Sequence, residues 1–101
     1  MEIKISDLRN ITNLLFNHLE SIGINKIEIT KDFYWFIQKE ELYNPYDKPQ
    51  KIDLGQLSDD WDDLGKILKG QDDPGYWDFV DLSALLRFIG ESDILLKKVI
   101  N

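Results

Sequence analysis

The chain has 101 residues, 43% hydrophobic and 31% charged, a balance that fits one compact domain over residues 1–101 and excludes a low-complexity or fibrous protein. It contains no cysteine, which excludes a disulfide scaffold, a thiolate metal site and a cysteine nucleophile. Its longest apolar run, Phe33 to Ile37, falls far short of the roughly 20 residues that cross a bilayer. The net charge is −7, and between Asp53 and Asp93 eleven acids stand against only Lys66, Lys69 and Arg87. Such a field repels phosphate backbones and anionic lipids, so the expected partner is a basic protein, with no nucleic acid and no membrane. Solubility alone is a second explanation of the same acidity. The amino terminus lacks the basic-then-apolar layout of a secretory signal, and the expected location is the cytoplasm.

Leu8, Ile11, Leu15, Leu19 and Ile22 follow Ser6 at spacings of three and four, which predicts an amphipathic helix over about 6–22 with Ser6 as cap and Gly23 as stop. Lys26 to Thr30 alternates polar and apolar residues, and Phe33 to Ile37 is rich in aromatic strand formers. Together they predict a β-hairpin over 26–37 turning at Lys31-Asp32, although that pair lacks the glycine of the tightest turns. Lys39 to Tyr43 reads as one helical turn, Asn44 to Pro49 as a proline-enforced loop, and Gln50 to Leu54 as a third short strand.

Leu57, Trp61, Leu64 and Leu68 lie on one helical face after Gly55, predicting a second long helix capped by Ser58 and ended by Gly70, with Trp61 and Leu64 in the core. After the Asp72-Asp73-Pro74-Gly75 turn, Phe79, Leu82, Leu85, Leu86 and Ile89 share a face of a helix over about 78–90. Gly90 ends it or is passed at a cost of about 1 kcal/mol. Ser92-Asp93 offers a cap for a last short helix containing Ile94, Leu95 and Val99. The expected class is α+β: a small antiparallel sheet packed by three or four helices.

Signatures of chemistry are few. The single histidine, His18, sits beside Ile11, Leu14 and Ile22 in the helical projection, and a boundary histidine explains it better than a catalytic one. The six glycines are isolated, so there is no phosphate-cradling loop. The run Asp59-Asp60-Trp61-Asp62-Asp63 has helical periodicity rather than the alternating carboxylates and central glycine of a calcium loop, so no metal and no cofactor are expected. Paired carboxylates also serve hydrolases, but a core of this size leaves little room for a substrate cleft, and the expectation is a protein that is not an enzyme. A small hydrolase working through Asp60 is the third-ranked reading.

The acids Asp59, Asp60, Asp62, Asp63, Asp72, Asp73 and Asp78, with Tyr76 and Trp77 as apolar anchors, form the predicted partner-binding surface. A helix-entry staple is the alternative role for Tyr76 and Trp77. In the strand, Phe33, Trp35 and Ile37 share one face and Tyr34 and Phe36 the other, so one set needs a cover beyond the first core layer.

Gly55-Gln56-Leu57-Ser58-Asp59-Asp60-Trp61 with Leu64, Leu85-Leu86-Arg87-Phe88-Ile89-Gly90, Tyr34-Trp35, and Tyr43-Asn44-Pro45-Tyr46 with Pro49 together resemble a group of small acidic bacterial proteins. The likeness covers most of residues 33–90. Such stand-alone proteins are similar to the immunity proteins of polymorphic toxin systems, including contact-dependent growth inhibition. The resemblance implies a cognate toxin partner and carries over no catalytic residue; the concentrated acidity fits a nuclease, whose cationic groove an acidic domain can fill, while binding beside the active site is the other arrangement such a protein can take. A non-enzymatic adaptor or regulatory subunit docking through the aromatic hairpin is the alternative.

Overall fold

A computed structural model of the chain describes residues 1–93. Its elements in chain order are α1 (Ile5–Ser21), β1 (Phe33–Ile37), α2 (Lys39–Leu42), β2 (Ile52–Gln56), α3 (Leu57–Leu68) and α4 (Tyr76–Glu91). The class is α+β with a two-stranded antiparallel sheet. The described residues divide into two compact units, 1–28 with 92–93, and 29–91. The expected last helix after Ser92-Asp93 lies outside the described residues.

In the first unit α1 begins one residue before Ser6. Lys4 is its N-cap and no side chain caps the helix, so Ser6 is not the cap. Gly23 does end it: at φ 88° its N–H donates to the Glu20 carbonyl at 3.0 Å and the Ile24 N–H to the Leu19 carbonyl at 2.9 Å. That paired closure is a Schellman motif, in which a residue after the glycine folds back onto the last turn, and both Leu19 and Ile24 are buried.

In the second unit the sheet differs from the expected hairpin. Lys26 to Thr30 forms no strand, and β1 pairs instead with β2, with Phe33 opposite Gln56, Trp35 opposite Leu54 and Ile37 opposite Ile52. Lys31-Asp32 is therefore not a hairpin turn, and the third strand is the hairpin partner, shifted toward Gln56. The connection is α2 plus the proline loop, fastened where the Glu41 carboxylate accepts the Gln50 N–H at 2.6 Å and the Lys51 N–H at 3.3 Å. A fourteen-residue link replaces a two-residue turn, which is why local alternation alone misassigned the partner.

β2 runs directly into α3, whose N-cap is Gln56 rather than Ser58. Asp32 does the capping from before β1. Its Oδ1 accepts the Ser58 N–H at 2.8 Å, its Oδ2 accepts Ser58 Oγ and Gln56 Nε2 at 2.8 Å each, and its carbonyl accepts the Leu57 N–H at 2.7 Å. Leu57, clamped there, is the most buried apolar residue of this unit among the described residues. Gly70, at φ 73°, ends α3 as Gly23 ends α1, with Gly70 N–H on Ile67 and Gln71 N–H on Lys66.

α3 packs against α4, and both helices are turned relative to their apolar periodicity. α3 directs Leu57, Asp60, Leu64 and Ile67 inward and leaves Trp61 56% exposed and Leu68 exposed, so Trp61 is not a core residue. α4 directs Asp81, Ala84, Leu85, Phe88 and Ile89 inward and leaves Phe79, Leu82 and Leu86 exposed; it also runs through Gly90 to Glu91. Each helix is rotated by roughly one residue position so that an aspartate meets an aspartate.

Candidate functional site

The predicted surface residues fall into three environments. Asp59, Asp62, Asp63, Asp72 and Asp73 are exposed; the first three lie on α3 and the other two beyond its carboxyl end. They form a broken strip, three near the start of α3 and two past its end, with a helix of about 18 Å between those limits, rather than one focus. Among the described residues the ion pairing of this strip is limited to Asp63 with Lys66 at 3.6 Å, both half-exposed. Tyr76 and Trp77, also exposed, follow the turn at the strip's end. Their rings meet edge-on at 5.2 Å, Trp77 leans on Phe36 of the sheet at 6.0 Å, and Lys39 Nζ lies 5.8 Å from the Tyr76 ring centroid.

Asp78 and Asp60 do not belong to the open strip. Asp78 is half-buried and accepts the Gly75 N–H on Oδ2 at 2.7 Å, closing the first turn of its own helix as the returning half of a capping box. Asp60 is only 8% exposed because it lies on the α3 flank that faces the sheet, where Tyr34 Oη donates to its Oδ2 at 2.6 Å. The Tyr34 and Phe36 side of β1 is thus the inward side.

Asp81 of α4 is buried like Asp60, at 7% exposed, and lies close enough to feel the charge of Asp60. Burial, then the charge of Asp60 and the hydrogen bond with it, and then the charges of Asp63 and Asp78 push the Asp81 carboxyl up to about 6. Tyr34 is shifted upward as well, first by burial and then by Asp60, so its hydroxyl stays a donor. Asp32 moves the other way: the bonds from Gln56 and Ser58 hold its carboxyl below the ordinary value. Nothing in the apolar periodicity pointed to Asp81; the available signal was an acid set between Val80 and Leu82 inside the helix.

The opposite side of the sheet carries Phe33, Trp35 and Leu54, all exposed, Trp35 by 74%, together with exposed Ile52 and half-buried Ile37. It is an apolar face without a charged residue, and the alternation in β1 had already grouped Phe33, Trp35 and Ile37. Among the described residues no group of three or more His, Asp or Glu is arranged to hold a metal ion, and no helix is long and apolar enough to cross a membrane. Comparison with known protein families, with characterised proteins and with solved structures returns no match to this chain.

Proposed function

We propose that this chain is an immunity-type protein that binds a basic toxin domain, a nuclease, one to one and neutralises it without chemistry of its own. The observation that carries the reading is the open acid strip: Asp59, Asp62, Asp63, Asp72 and Asp73 are exposed, with a single ion pair among them in the described residues. Exposed carboxylates on the first turns of α3 and in the turn after it present to a cationic groove the kind of negative field a nucleic-acid backbone presents, which speeds encounter and disfavours acidic partners. Exposed Tyr76 and Trp77 at the end of the strip supply the apolar area that slows release. Co-expression with the adjacent reading frame tests this. The expected result is a one-to-one complex with a basic protein whose nuclease activity is toxic alone and silent in the complex; an acidic neighbour, or a toxic activity left intact, overturns it.

A second reading, a non-enzymatic adaptor, draws on a different observation, the exposed Phe33, Trp35, Ile52 and Leu54 side of the sheet. An uncharged apolar face of this kind suits a partner chosen by shape rather than by charge.

A further inference from the structure

Asp60 and Asp81 are the two buried polar or charged residues among the described ones; they stand on α3 and α4, which pack together, and the charge of Asp60 acts on Asp81. The groups that face them can be named element by element. β1 supplies the Tyr34 hydroxyl, α3 supplies Asp60 and the charge of Asp63, and α4 supplies Asp81 and the charge of Asp78. On the same sheet face β2 supplies Gly55 and Asp53, whose Oδ2 is taken by Gln38 Nε2 at 2.9 Å. No cation is among the charges acting on Asp81. Two carboxyls in such a place cannot both be ionised cheaply, so the pair holds a proton to a higher pH than an ordinary carboxyl does.

We propose that Asp60 and Asp81, held beneath the Tyr34 hydroxyl, form a proton-operated latch: one shared proton fastens α3 to α4 and its loss loosens them. With the proton present, Asp60 receives two donors, Tyr34 Oη and the Asp81 hydroxyl, each from a different element, so β1, α3 and α4 are tied at one point. Without it, two like charges face each other in a buried place and the tie through Asp81 becomes repulsion. The sign follows from the direction of the shift. The folded Asp81 holds its proton more tightly than the unfolded one, whose value is near 3.8, so the stabilising effect is complete below that value and is lost as pH rises through about 6. This inference stands apart from the partner reading, since it concerns the chain alone.

The test compares the wild type with Asp81→Asn, which keeps the donor to Asp60 and removes the charge. Between pH 5 and pH 8 the unfolding equilibrium constant of the wild type rises about tenfold more than that of the variant. The variant is already the more stable protein at pH 5, and its advantage over the wild type grows further by pH 8. Amide exchange, corrected for its intrinsic pH dependence, shows protection falling in α3 and α4 of the wild type at pH 8 and holding in the variant. Parallel stability profiles, or unchanged protection, overturn the proposal. Should Asp81→Asn fail to fold, carboxyl ¹³C titration of the wild type decides: one aspartate with a midpoint above 5 upholds the latch, and all midpoints below 5 end it.

Discussion

Gly55 stands opposite Tyr34 in the sheet, and a side chain there would occupy the space of the Tyr34 ring. The ring lies over the glycine and reaches Asp60 with its hydroxyl, so the missing Cβ is what lets a strand residue bond a helix residue. Gly55→Ala should therefore destabilise the protein by about 1 to 3 kcal/mol in urea unfolding. Most of that penalty should vanish in a Tyr34→Ala background, where the overlap is gone. Trp61 is the converse case. Its spacing from Leu57 and Leu64 reads as core, a place where truncation costs about 3 to 5 kcal/mol. Lying more than half exposed, Trp61→Ala should instead cost about 1 kcal/mol or less. A loss of several kcal/mol would show that α3 is rotated differently.

The elements show where sequence reasoning succeeds. Stops written into one residue were legible: Gly23 and Gly70 end their helices through the left-handed conformation that only glycine adopts freely. Features set by distant residues were not. The cap of α3 is Asp32, some two dozen residues upstream, and no local pattern distinguishes it from Ser58, whose amide and hydroxyl it binds. The burial of Asp60 and Asp81 also depends on their meeting, whereas periodicity assigns every acid to solvent. Asp32 makes a further prediction. Its folded carboxyl is held below the unfolded value of 3.8, so its contribution is complete above that value and drains away as pH falls through the lower folded one. Asp32→Ala should weaken the protein at neutral pH, expose the Ser58 amide to exchange, and lose less stability than the wild type on acidification from pH 5 to pH 2. This window lies below the one in which Asp81 acts, and the sign is opposite, so the two carboxyls are separable in a single pH series.

Across the whole molecule, charge and apolar exposure are carried by different surfaces: the acids of α3 and the turn after it on one, Phe33, Trp35, Ile52 and Leu54 of the sheet on another. The acid strip was legible because charge runs are local; its membership was not, since Asp60 is buried and Asp78 is spent on a cap. Kinetics distinguishes the two surfaces because long-range charge acts before contact and apolar burial acts after it. With the toxin domain as partner, changing Asp59, Asp63, Asp72 and Asp73 together to Asn should slow association about tenfold at low ionic strength and flatten its dependence on salt. Dissociation should move far less. Tyr76→Ala should leave association nearly unchanged and speed dissociation, as an anchor at the end of the strip requires. Trp35→Ser should do neither if the strip is the footprint. Should Trp35→Ser speed dissociation while the four Asn changes leave association and its salt dependence untouched, the partner sits on the sheet, and the acidity of α3 serves solubility.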